Sequence, residues 1–146
     1  MTTDNLSQGG IFEARLTQYI IENHPDKIGD VSFISERGRM AAHTFETSSV
    51  AGMSVDESMR EAERTLFHGL LFSPYLLVRE VLTGEFDYTD DSPEIDEFAL
   101  QMLDMTDALI KRYDIGDDFA GTAQETALYE QIKDSINQYL VKNGLQ

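Results

Sequence analysis

The sequence predicts an all-α protein: a single multihelical domain of about six helices, packed as an orthogonal or irregular bundle. Three observations lead there. Apolar residues recur with the helical period in six separate segments, capping and stop signals fall at the ends of those same segments, and two-residue alternation is nowhere sustained. Agreement between independent levels of signal outweighs any single propensity.

Residues 1–10, MTTDNLSQGG, read as a polar N-terminal tail, and residues 11–146 as the helical domain. In the first helix Phe12, Leu16, Tyr19 and Ile20 share one face. Asn23, His24 and Pro25 end it, because the residue before a proline resists helical dihedrals. Asp30 caps a second helix striped by Ile34, Ala41, Phe45 and Ser48, with Gly38 on the same face. A glycine inside a helix costs about 1 kcal/mol relative to alanine. Its presence beside Ala41 and Ala42 therefore predicts a close helix crossing. Ser54 and Glu57 have capping-box spacing, each side chain satisfying the other's backbone amide. The third helix they open carries Val55, Met59, Ala62, Leu66, Gly69 and Leu70 on one side.

Ser73 and Pro74 read as N-cap and first helical residue, since proline's missing amide is one the helix leaves unpaired anyway. Leu77, Val78, Val81 and Leu82 form the inner side of this fourth helix, with Gly84 suited to its left-handed C-terminal position. Ser92 and Pro93 repeat the signal for a fifth helix with the cleanest stripe of the chain: Ile95, Phe98, Ala99, Met102, Leu103, Thr106, Leu109, Ile110 and Tyr113. Its other face, Glu97, Gln101, Asp104, Asp107 and Lys111, is solvated. Thr122 and Glu125 form a second capping box, opening a last helix with Leu128, Ile132, Ile136, Tyr139 and Leu140 inside and Gly144 at its end.

Composition bounds the function. The chain has 146 residues, 41% hydrophobic and 26% charged, ordinary for a soluble globular domain. It has no cysteine, which excludes disulfides, thiolate chemistry and Cys-based metal sites. The first ten residues lack the basic and apolar regions of a secretory signal, so the expected location is cytoplasmic. The apolar run HGLLFSPYLLVREVL, residues 68–82, is not a membrane span. Its uncharged window, residues 65–78, is 14 residues long and contains a proline, whereas a spanning helix needs about 20 residues. It reads as two helices meeting at a corner. Lys and Arg total 11 against 27 Asp and Glu, a net charge of −16. Residues 1–73 carry −5 of it and residues 74–146 carry −11. A field of that sign repels phosphate backbones and anionic lipid, so neither direct nucleic-acid binding nor membrane binding is expected.

Reactive residues are sparse. His24 lies at a helix C-terminus, where the dipole favours a cation. His43 shares a face with Glu36, Arg39 and Thr47, and His68 lies beyond Arg64 and Glu61; both faces read as exposed. No His pairs with another at helical spacing, and all three read as surface residues. Nucleophile and phosphate-loop motifs are missing, and Ser73 reads as a cap. The segment EFDYTDDSPEIDE, residues 85–97, is acidic at seven of thirteen positions. Tested as a calcium loop from Asp87, it places Ser92 where glycine belongs and Phe98 at the twelfth position; from Asp114, Gly116 and Phe119 break the pattern although Glu125 fits. Asp104 and Asp107 point to solvent. The expectation is no catalytic, cofactor-binding or metal residue, and no cofactor.

Three segments together carry a family likeness: ENHPD (residues 22–26), the long run from FISERG to LTGEF (residues 33–86), and YDIGDDFAGTAQETALYEQIKDSINQYL (residues 113–140). They resemble the domain-of-unknown-function family numbered 1896, small acidic proteins of anaerobic Gram-negative bacteria. The likeness spans residues 16–140, and GLLFSPY and DDFAGT are its most specific parts. Pro74 and Leu76 depart from the Lys and Asp common at those positions in the family. The resemblance implies an intracellular helical domain, often encoded on mobile elements, and supplies no activity. The leading expectation is thus a non-enzymatic protein-interaction module, an accessory of a mobile element, whose partner is a second copy or a basic protein. The alternatives are an acidic nucleic-acid mimic, using residues 85–97 with Asp114, Asp117 and Asp118, and a carboxylate enzyme using a divalent metal.

Overall fold

The computed structural model describes residues 3–144, with side chains from residue 10 onward. Among these residues there are seven α-helices, one 3-10 turn and no strand. The chain packs as two compact units, Met1–Gly69 and Leu70–Gln146.

The first unit contains α1 (Thr3–Asn23), a 3-10 turn (Pro25–Lys27), α2 (Val31–Val50) and α3 (Val55–Leu66). Helix α1 buries Phe12, Leu16 and Ile20, one stripe at four-residue spacing. It begins at Thr3, where a polar tail to residue 10 was expected; residues 1 and 2 lie outside the described residues. Extending a packed helix adds one hydrogen bond for each residue fixed, which carries it through Gly9 and Gly10. Past Asn23 the His24 amide donates to the Ile20 carbonyl at 2.7 Å, and the His24 side chain is buried, at 2% exposure. This corrects the surface placement expected for it: His24 packs beside Tyr19, their rings 6.1 Å apart.

The Phe33 amide donates to Asp30 Oδ1, so Asp30 caps α2 as its sequence position predicts. Helix α2 buries Ile34, Gly38, Ala41 and Ser48. A Cβ on Gly38 would stand 2.6 Å from Glu13 Cγ and 3.3 Å from the Glu13 backbone nitrogen, so the absent side chain is what lets α1 and α2 approach. In α3 both halves of the Ser54–Glu57 capping box are closed. Ala62 and Leu66 of the predicted core face are buried, but at its start Ser58 is buried while Val55 is 70% exposed. The Ser49 hydroxyl donates to Ser58 Oγ at 3.3 Å, which lets a polar side chain be buried at the start of that face. Gly69, with φ +82°, lies beyond the helix rather than on it.

The second unit holds α4 (Pro74–Glu85), α5 (Pro93–Met105), α6 (Asp107–Ile110) and α7 (Ala123–Lys142). Tyr75, Leu77, Val78, Val81 and Leu82 of α4 pack with Ile95, Ala99 and Met102 of α5 and Leu128, Ile132, Ile136 and Leu140 of α7. Ser73 Oγ accepts the Leu76 amide, fixing the start of α4. The predicted left-handed stop at Gly84 is not found. Gly84 is helical, and a Cβ there would stand 2.9 Å from the Tyr129 hydroxyl, which fills the space beside the glycine. The long fifth helix is interrupted at Thr106. Its buried hydroxyl donates to the carbonyls of Met102 and Leu103, side-chain bonding of a kind that bends a helix. At α7 Thr122 Oγ1 accepts the Glu125 amide, but Glu125 Oε1 accepts from Gly121 rather than Thr122, so the second box closes one residue early. Gly144, φ +66°, ends the helix as predicted.

Among the described residues no helix is long and apolar enough to cross a membrane.

Candidate functional site, a cationic groove on the α2–α3 hairpin

Helices α2 and α3 run antiparallel, joined by residues 51–54, with Thr44 Oγ1 and Thr65 Oγ1 3.0 Å apart across the seam. Four-residue periodicity places Arg39 and His43 on adjacent turns of α2, while Arg64 stands in the last turn of α3 and His68 in the turn that follows it. The fold turns these Arg–His pairs toward one channel. Two adjoining depressions, of about 360 and 570 Å³, share Met40 and Thr65. The first is lined also by Arg37, Glu61, Arg64 and His68, the second by Arg39, His43 and Thr44.

Arg37 holds the hairpin together. Its Nη1 donates to the carbonyls of Thr65, Leu66 and His68 at 3.2, 3.3 and 2.7 Å, acceptors at the end of α3 and in the turn that follows it. Its guanidinium also sits 4.7 Å from the centre of the Phe33 ring. Arg39 and Arg64 are held loosely by contrast, 3.9 Å from Glu36 and 3.7 Å from Glu61, with three quarters of each arginine side chain in solvent. Exposed pairs of this kind contribute at most about 1 kcal/mol and exchange readily.

At the other end of the hairpin, away from the channel, the α2–α3 turn forms a stiff tip. The Gly52 amide donates to Ser49 and the Met53 amide to Ser48, with Gly52 at φ +98°, a closed C-terminal motif that meets the Ser54 capping box directly. Val50, Met53 and Val55 stand on it at 83%, 44% and 70% exposure.

The histidines behave differently from one another: His43 and His68 are exposed and line the channel, while His24 is buried elsewhere in the unit. Several of the acids weighed in the sequence are drawn into local structure. Asp96 and Asp90 pair with Arg79, whose Nη1 also donates to Tyr75 Oη. Burial opposes the Arg79 charge, but the hydrogen bonds to Tyr75 and Asp96 outweigh it and raise its pKa. Asp107 pairs with Lys111, raising the Lys111 pKa through that hydrogen bond. Asp117 Oδ1 accepts the Leu71 amide at 3.0 Å, and the Phe72 and Phe119 rings meet edge-on at 4.9 Å. The two most specific stretches of the family likeness therefore interlock as packing. Among the described residues no three His, Asp or Glu side chains converge to hold a metal ion.

Fold and channel together define a small all-α protein whose marked surface feature is a helical hairpin. The chain belongs to the family described as domain of unknown function (DUF1896), whose model matches residues 3–145. Its structure is similar to the crystal structure of protein PG0816 from Porphyromonas gingivalis, with a TM-score of 0.86 at 26% sequence identity, over 95% of this chain and 94% of that one. No curated protein sequence matches the chain. Neither the family description nor the name of the similar structure assigns an activity.

Proposed function

We propose that this chain is a protein-interaction module that engages its partner through the tip of the α2–α3 hairpin. The supporting observation is the exposure of Val50, Met53 and Val55 on backbone locked from both sides. Apolar groups held on a rigid turn lose little freedom when they are buried against another protein. Asp56 and Glu57, exposed in the first turn of α3, flank them, so the partner surface that fits is an apolar pocket rimmed by basic side chains. This agrees with a basic protein partner, and the intracellular setting implied by the family likeness is the place to look for it.

The test is affinity purification of the chain from its native cells, compared with a Val50→Asp/Val55→Asp variant. Both positions are exposed, so the variant should melt within about 0.5 kcal/mol of the parent. A partner retained by the parent and lost by the folded variant is the expected result. Equal recovery by both, or light scattering that shows only monomer with no partner in either, would contradict the reading.

A further inference from the structure

We propose that the α2–α3 channel is a binding site for a small phosphate-bearing molecule. Three of the chain's 11 Lys and Arg, Arg37, Arg39 and Arg64, line this one channel together with two of its 3 histidines, His43 and His68. In a protein of net charge −16, such crowding of cations is opposed by their mutual repulsion and calls for an anion. Glu61 in the channel and Glu36 at its rim offset part of the charge. Arg37 is committed to the carbonyls at and just beyond the end of α3, so the groups a ligand would meet are Arg39 and Arg64, with the imidazoles of His43 and His68 and the hydroxyls of Thr44 and Thr65 beside them.

The donor set fits phosphate better than a carboxylate. A single arginine fork satisfies the two oxygens of a carboxylate, whereas donors arrayed on two facing walls suit the several oxygens of a tetrahedral dianion. Depressions of about 360 and 570 Å³ exceed what a lone phosphate needs, and Met40, common to both, offers an apolar surface for an organic group. Extended polyanions are disfavoured. The channel is short, and a nucleic acid or an anionic membrane would reach past it into the surface of a chain whose net charge is −16. The site is separate from the tip, and substitutions at Val50 or Val55 leave it intact.

Nuclear magnetic resonance titration of the isotope-labelled full chain with inorganic phosphate, pyrophosphate and phenyl phosphate tests this, read at the arginine side-chain and histidine ring signals. The expected result is saturable movement of Arg39, Arg64, His43 and His68, tightest for phenyl phosphate, while Arg60, Arg112 and Lys142 stay still. Arg39→Ala/Arg64→Ala should weaken binding about ten-fold or more with an unchanged melting temperature. Arg39→Lys/Arg64→Lys, which keeps the charge but loses the fork, should fall between. Movements reproduced by chloride at equal ionic strength, or spread evenly over all basic residues, would overturn the proposal. So would a hexaglutamate peptide that binds the channel when the phosphates do not.

Discussion

Gly38 shows how one absent side chain organises a unit. An alanine there would normally stabilise a helix by about 1 kcal/mol; here its Cβ would press on Glu13, including the backbone of α1. Gly38→Ala is therefore expected to destabilise the chain, by about 1–3 kcal/mol, in a denaturant melt. Tyr129 makes a second point at this scale. Burial, and then the hydrogen bond it donates to Glu85, push its phenol from the ordinary 10.0 up to about 12. A pKa raised in the folded state contributes stability that is complete below pH 10 and is lost as pH climbs through about 12. In an ultraviolet titration of the six tyrosines, the last to ionise should vanish in Tyr129→Phe. The role of Gly38 is legible in the sequence, because a helical glycine close to two alanines marks a face kept small for a neighbouring helix. Gly84 reads as a stop and is not one, and its neighbour in the fold is a tyrosine 45 positions further on.

At the scale of elements, the caps are the most legible features. Asp30, Ser54, Ser73 and Thr122 each accept the backbone amide three residues on, since a cap needs only local sequence. Ser54→Ala is expected to cost about 1 kcal/mol in a thermal melt. The Ser54 hydrogen bonds lower the Glu57 pKa, so the box contributes stability above the ordinary carboxylate range and loses it as pH falls. Glu57→Gln, which keeps the bond from the Ser54 amide without the charge, and the parent should accordingly converge in acid. Arg37 is not legible. Nothing on α2 announces that one guanidinium will take three carbonyls at the end of α3 and in the turn that follows it. Arg37→Met, which keeps the stem and removes the donors, should cost about 1.5–3 kcal/mol and open the end of α3 to hydrogen exchange. The channel is half visible: both Arg–His faces read as exposed, and the repeated four-residue spacing is the signal that they belong together.

For the whole molecule, net charge and absent motifs restrict chemistry more than they define it. A charge of −16 weakens the compact state through self-repulsion. Raising salt from low values to about 0.5 M should therefore raise the melting temperature, and a fall would mean that the local ion pairs, not the overall field, dominate. The all-α class follows from periods and caps that act within a dozen residues. The proposed binding surfaces do not, because a tip and a channel exist only once two helices lie side by side. That hairpin carries the account. A photo-activated crosslinker placed at Val50 in living cells, with a control at the exposed Gln131 on α7, tests it most directly. A specific adduct from Val50 and none from Gln131 is the expected result; adducts from Gln131 alone, or equally from both, would contradict it.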